Sequence, residues 1–197
     1  ARDHLLGFKA TSGRGDSFKA GAKVVKNVTG FDLSKLITGS WGRLVAITEL
    51  TLKVMPRPKT RKTILLRGLD PESAVRTMAR ALGSTADVNT AAHLPSWSDT
   101  PMTMFRLDGF PESVSARIDT LTALIGEKFA FESLGDDASD TAWDEIRDVT
   151  VLPKNGPLWR VVIPPSKAPA FIATVTDAEW IMDWAGGLVW VTTAEDP

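Results

Sequence analysis

The 197-residue chain contains no cysteine and no tyrosine, and only two histidines, His4 and His93. Without cysteine there are no disulfides, thiolate nucleophiles, iron–sulfur ligands or cysteine-held zinc within it. Without tyrosine there is no phenolic acid or base. No run of about 18 apolar residues occurs, which excludes a helical membrane span by composition. The N-terminus, Ala1-Arg2-Asp3-His4, has neither Met nor the pattern of a signal peptide and reads as a chain entered in mid-domain. What is present, 43% hydrophobic and 24% charged residues, describes an ordinary globular protein of one large or two small domains.

Charge is unevenly spread. Residues 1–62 carry 13 Lys and Arg against 4 Asp and Glu, net +9; residues 63–197 carry 10 against 20, net −10. A basic unit joined to an acidic one predicts two domains with different partners. The basic part faces either an anionic ligand or solvent. It has no aromatic interleaving and no known nucleic-acid module, so nucleic acid is not expected as a partner.

The most informative stretch runs from Lys23 to Pro58. Ahead of it, Leu5–Ala10 and Ser17–Ala20 read as a β-hairpin around Arg14-Gly15-Asp16, a triplet taken as a loop rather than an adhesion motif. Lys26-Asn27 precedes a turn, and Asn27-Val28-Thr29 is a formal glycosylation sequon without a secretion signal. Asp32 is placed to cap a short helix over 33–37, with Gly39 as its stop. Gly39-x-x-Gly42 is neither a Walker loop nor a three-glycine dinucleotide fingerprint. Arg43–Val54 reads as a strand, apolar on both faces at its start and on one at its end, which suits the middle of a sheet. Pro56-Arg57-Pro58 ends it, and a domain boundary is placed there: 1–58 and 59–197.

Beyond the boundary, strands alternate with amphipathic helices. Strands are expected over 61–69, 102–108, 129–134, 158–163, 178–184 and 188–193, and helices over 71–82, 111–125, 140–149 and 167–175. The helix at 71–82 is expected to bury Val75, Met78, Ala79 and Leu82. The pattern implies an α+β domain, an antiparallel sheet with helices on one side. Its chemistry is sparse. His93, read as lying beside a loop, is a candidate base or ligand, or a structural histidine. The acidic cluster Asp136-Asp137…Asp140…Asp144-Glu145 lacks calcium-loop spacing and reads as a solvated helix N-terminus. Arg160 suits a small carboxylate, or an ion pair with Asp183.

The run Val24–Leu36, Gly39-Ser40 and Leu44–Pro56 resembles the E-subunit branch of glycolate oxidase, within the vanillyl-alcohol-oxidase/PCMH-type flavoproteins. Arg2–Gly7, Leu158-Trp159-Arg160-Val161 and Asp183–Trp190 share the resemblance. It implies the second part of a PCMH-type FAD-binding domain, then an α+β cap over the flavin. It implies FAD as cofactor, with Trp41, Gly42, Arg43, Leu44, Val45, Ala46 and Ile47 as the contact segment. The wider family's Gly-Ser-Glu-Gly-Thr-Leu-Gly is altered here: Trp41 stands for Glu, Arg43 for Thr and Val45 for Gly. Trp41 is then a flavin-stacking wall or core packing, Arg43 a phosphate or subunit partner or a solvated edge, and Val45 a side chain where the family keeps backbone access.

The resemblance further implies hydride transfer from the α-carbon of a small 2-hydroxy acid to FAD, then electron transfer to other glycolate oxidase subunits, a flavin paralogue and an iron–sulfur subunit. The alternative it carries is a non-catalytic flavin-binding or scaffold subunit docked to a catalytic paralogue. The His-rich metal element of D-lactate-dehydrogenase-type relatives is missing, so no metal is expected. A cytoplasmic location follows, with membrane association only through the complex. The family's upstream pyrophosphate loop and its C-terminal return are both missing, so the chain reads as an internal fragment that alone binds FAD weakly or not at all.

Overall fold

The computed structural model describes residues 2–25, 30–97, 99–126, 130–154 and 156–193. The Lys26-Asn27 pair, the sequon Asn27-Val28-Thr29 and the expected strand start at Phe129 lie outside them. The chain divides into two compact units, Ala1–Arg57 and Pro58–Pro197. Drawn at this boundary the charge split narrows to 10 cations against 4 anions and 13 against 20. Lys59, Arg61 and Lys62 fall in the second unit, where Arg61 pairs with Asp140.

Unit 1 is a three-stranded antiparallel sheet in the order β2-β1-β3. β1 (Leu5–Ser12) and β2 (Ser17–Gly21) form the expected hairpin, closed by Ser12 N–H to Asp16 O at 2.9 Å. The short helix α1 (Leu33–Ile37) begins where the sequence placed it: the Asp32 carboxylate accepts the Lys35 N–H at 3.1 Å. β3 (Val45–Leu52) departs from expectation. It is an edge strand, exposed along most of its length, not a buried central one. The apolar pattern that suggested a central strand traces to a β-bulge. Lys9 pairs with Glu49 and Ala10 with Ile47, leaving Thr48 as the extra residue. The bulge shifts the side-chain phase, so Val45 and Ile47 share a face with Leu50 and Leu52. The "two-faced" apolar start is one face read through a register shift. Val45 packs on the small core of Phe8, Ala10 and Ile37, while Ile47, Leu50 and Leu52 stay about half exposed.

Unit 2 is a seven-stranded antiparallel sheet in the order β7-β4-β6-β5-β9-β10-β8. Its strands are β4 (Thr60–Arg67), β5 (Thr90–Leu94), β6 (Met102–Gly109), β7 (Phe131–Leu134), β8 (Leu158–Val162), β9 (Ala178–Asp183) and β10 (Leu188–Thr193). The helices are α2 (Pro71–Leu82), α3 (Pro111–Ile125), α4 (Asp136–Arg147) and the short α5 (Ala168–Ile172). α2 starts on Pro71 with Asp70 accepting the Ser73 N–H at 2.9 Å. It buries Ala74, Val75, Met78 and Ala81; Ala79 and Leu82, expected inside, are exposed.

The α+β class and the antiparallel sheets are as expected, but one helix lies elsewhere. One face of the sheet (Ile64, Leu66, Phe105, Leu107, Met182, Val189) packs with α2 and α3. The other (Leu65, Ala92, Met104, Ile181) packs with Ala142, Trp143 and Ile146 of α4. Helices therefore cover both faces. Alternation along β4 explains it: Thr63, on the α4 side, meets the Ser139 hydroxyl at 2.7 Å and accepts Trp143 Nε1–H at 2.8 Å. α4 also begins four residues before its expected start. Asp136 accepts from the Thr60 hydroxyl at 2.8 Å and the Arg61 N–H at 2.6 Å, and Asp140 from Arg61 and Arg106 at 2.6 and 3.1 Å. Two of the five acidic residues, Asp136 and Asp140, thus anchor α4 to the sheet rather than facing solvent alone.

Candidate functional site

In unit 1 the segment Trp41–Ile47 forms an open turn running into β3. Arg43 N–H donates to Ser40 O at 3.0 Å, which closes the turn. Trp41 adopts φ 54° and is 92% exposed, so its ring does not pack in the core of the described residues. Gly42 follows with φ 73°, a conformation that favours glycine. No atom lies within 4 Å of where its Cβ would stand. Arg43 and Leu44 are exposed. Along β3, Val45, Ala46 and Ile47 pair with Ser12, Thr11 and Ala10. Val45 turns its side chain into the small core, so its extra carbons do not crowd the outer face. The segment offers an indole, a guanidinium and free backbone around Gly42. That donor set fits one side of a flat, anionic dinucleotide cofactor; it does not enclose one.

Unit 2 carries a second feature, a hollow of about 260 Å³ on the α4 side of the sheet. Strand register builds it. Arg160 of β8 stands directly across from Trp190 of β10, and Trp184 follows β9. The Arg160 guanidinium carbon lies 5.1 Å from the Trp184 ring centre and 5.8 Å from that of Trp190. Among the described residues no carboxylate forms an ion pair with Arg160; Asp183, which lines the same hollow, accepts the Trp184 N–H at 2.7 Å. Arg147, the other cation at the hollow, is held by Asp144 and Asp148 at 2.7 and 2.8 Å. Burial pushes the Asp183 carboxyl pKa above its ordinary value, against a smaller lowering from the Trp184 N–H.

The turn beside the hollow is strained. Trp184, Ala185 and Gly186 have φ of 51°, 55° and 94° in succession. Two non-glycine residues in this region cost on the order of 1–2 kcal/mol each. Any other residue at Gly186 would be strained by its φ of 94°, and a Cβ there would stand 3.0 Å from Val75 Cγ2, which would have to shift.

His93 does not join either feature. It lies within β5, not beside a loop, and is 1% exposed. Its Nδ1 meets the Thr103 hydroxyl at 2.9 Å, its Nε2 has no partner among the described residues, and burial lowers its pKa to about 4. That is a neutral core histidine at ordinary pH. The indoles of Trp184 and Trp190 were missed as neighbours of Arg160. The signal was available in the pairing of 158–162 with 188–192, but needs the strand order to be read.

Similarity searches bear on these features. No protein-family model matches. Subunit GlcE of glycolate oxidase from Escherichia coli (strain K12) is 31% identical over 99% of this chain and 50% of its own length. The p-cresol methylhydroxylase structure with substrate bound superposes with a TM-score of 0.65 at 11% identity, over 96% of this chain and 51% of that one. Over nearly its whole length the chain is related to that glycolate oxidase subunit, and it shares the fold of the p-cresol methylhydroxylase structure. An uncharacterized FAD-linked oxidoreductase of Mycobacterium tuberculosis (strain ATCC 25618 / H37Rv) is 32% identical over 43% of this chain and 18% of its own length. The chain spans half the length of the glycolate oxidase subunit. No helix among its described residues is long and apolar enough to cross a membrane.

Proposed function

We propose that the chain is part of a subunit of a flavin-dependent oxidoreductase acting on small 2-hydroxy acids of the glycolate type. The observation that carries this is the 31% identity to the glycolate oxidase subunit over 99% of the chain. The named parts have separate tasks. Trp41–Ile47 would hold FAD along one side, the Trp41 indole against the flat rings and Arg43 toward the phosphates. When bound, the flavin supplies the hydride acceptor. Residues 59–197 serve as the cap that shapes the substrate side. Electrons leave for partner subunits, a flavin paralogue and an iron–sulfur protein. The 197-residue chain alone is expected to hold FAD weakly, because Trp41–Leu44 stand on an exposed turn with open space around Gly42.

A second reading, a non-catalytic subunit docked to a catalytic paralogue, draws on one observation. His93 is buried and neutral, and so unsuited to take the substrate's hydroxyl proton. One experiment separates the two. The full-length protein, loaded with FAD, is mixed anaerobically with glycolate. Loss of the oxidised flavin absorbance supports the oxidoreductase; an unchanged spectrum supports the scaffold.

A further inference from the structure

We propose that the hollow formed by β8, β9 and β10 is a binding site for a small 2-hydroxy carboxylate, with the carboxylate on Arg160 and the hydroxyl on Asp183. The substrate class rests on the reading above; the site itself rests on geometry.

Arg160 has the chemistry of a carboxylate anchor with its partner position open. The Trp184 and Trp190 rings lie against the guanidinium, 5.1 and 5.8 Å from its central carbon. Attraction to an aromatic ring supplies no hydrogen-bond acceptor, so the guanidinium N–H groups keep their capacity for one. A carboxylate meets that edge with two parallel hydrogen bonds. Arg147 is not the anchor, since Asp144 and Asp148 already occupy it.

Asp183 supplies the second half. It lines the same hollow and, among the described residues, its carboxylate takes one hydrogen bond, from the Trp184 N–H. A carboxylate offers about four acceptor positions, so it retains capacity for a ligand hydroxyl. The strained run Trp184–Gly186 fixes that carboxylate and the Trp184 ring together. Backbone strain of this kind gathers at ligand sites. At about 260 Å³ the hollow accommodates a ligand of a few heavy atoms, and its apolar walls, Ile146, Leu188 and Trp143, leave two groups to set orientation.

The test is calorimetric titration of the 197-residue chain with glycolate and with acetate, which lacks the hydroxyl. Glycolate is expected to bind about tenfold more tightly than acetate, the value of one hydrogen bond. Asp183→Asn is expected to narrow that ratio and Asp183→Ala to abolish it, with acetate binding unchanged. Arg160→Gln is expected to weaken both ligands at least tenfold, and Arg160→Lys to restore part of the loss. Equal binding of glycolate and acetate overturns the Asp183 role. Unaltered binding in Arg160→Gln, or no glycolate binding to the unsubstituted chain, overturns the site. Flavin bleaching is read separately, so hydroxyl-selective binding without bleaching leaves the hollow standing and removes the oxidoreductase.

Discussion

The two units spend their apolar residues differently. Unit 2 buries two clusters of 20 and 11 residues, one on each face of its sheet. Unit 1 buries Phe8, Ala10 and Ile37, and leaves Phe31, Trp41, Leu50, Leu52 and Val54 more than half exposed. Stability scales with the area removed from water, so unit 2 has the self-supporting core and unit 1 is marginal by itself. The same difference bears on function. The proposed flavin side lies on the unit with few buried anchors, and the proposed substrate hollow lies on the unit with many. A site on unit 2 can be held by its own packing; a site on unit 1 depends on one helix and an edge strand.

The largest effects should come from the cores. Phe105 is fully buried in the larger cluster, and Phe105→Ala should cost about 3–5 kcal/mol, read in urea unfolding by tryptophan fluorescence. Six of the seven tryptophans lie in unit 2, so this signal reports that unit. Phe8 packs edge-on against Phe18, with centroids 5.8 Å apart. Phe8→Ala should remove hydrogen-exchange protection from the β1 amides altogether while leaving the fluorescence transition in place. A shared loss in both units would break the comparison.

Next in size is the acid response of unit 2. The folded His93 value of about 4 lies below its ordinary 6.5, so the unfolded chain takes up the proton first. The neutral-histidine contribution is complete above pH 6.5 and is lost as pH falls from there toward 4, reaching on the order of 3 kcal/mol. His93→Gln should flatten the fall in urea midpoint between pH 7 and pH 4.5; an unaltered slope would assign the acid loss to other groups.

Thr63→Val tests the contact between α4 and the sheet. The substitution orphans Trp143 Nε1 and takes a partner from the Ser139 hydroxyl, at about 1–3 kcal/mol in the same unfolding assay. The helix caps come last. Asp70→Ala on α2 should cost about 1 kcal/mol by urea unfolding. Asp32→Ala should cost a similar amount but register as faster exchange in α1, a five-residue helix with little else to define its start.

Legibility in the sequence followed local signals. α3 matched end to end because Pro111 and Gly126 bracket a helical apolar stripe. α1 was fixed by Asp32, and β9 and β10 by the turn between them. β5 was not legible: Thr90-Ala91-Ala92-His93-Leu94 is buried on both faces, has small residues where alternation would show, and carries weak β preference. The start of α4 was hidden because Gly135 caps it without a side-chain bond, while Asp136 is engaged by β4. The placement of β3 turned on a bulge that sequence alternation shows only as a phase change. Of the candidate residues, Arg160 was reachable from its chemistry. Its aromatic neighbours were not, because they arrive by strand pairing from 24 and 30 positions downstream.

The central claim is a division of labour, flavin on Trp41–Ile47 and substrate on Arg160 with Asp183. It is tested most directly by measuring FAD and glycolate affinities of the full-length protein in Gly42→Val and Arg160→Gln. Gly42→Val forces a β-branched side chain into φ 73° and should lower FAD affinity while glycolate affinity holds. Arg160→Gln should do the reverse. Contradiction would be FAD affinity unmoved by Gly42→Val, or glycolate affinity unmoved by Arg160→Gln.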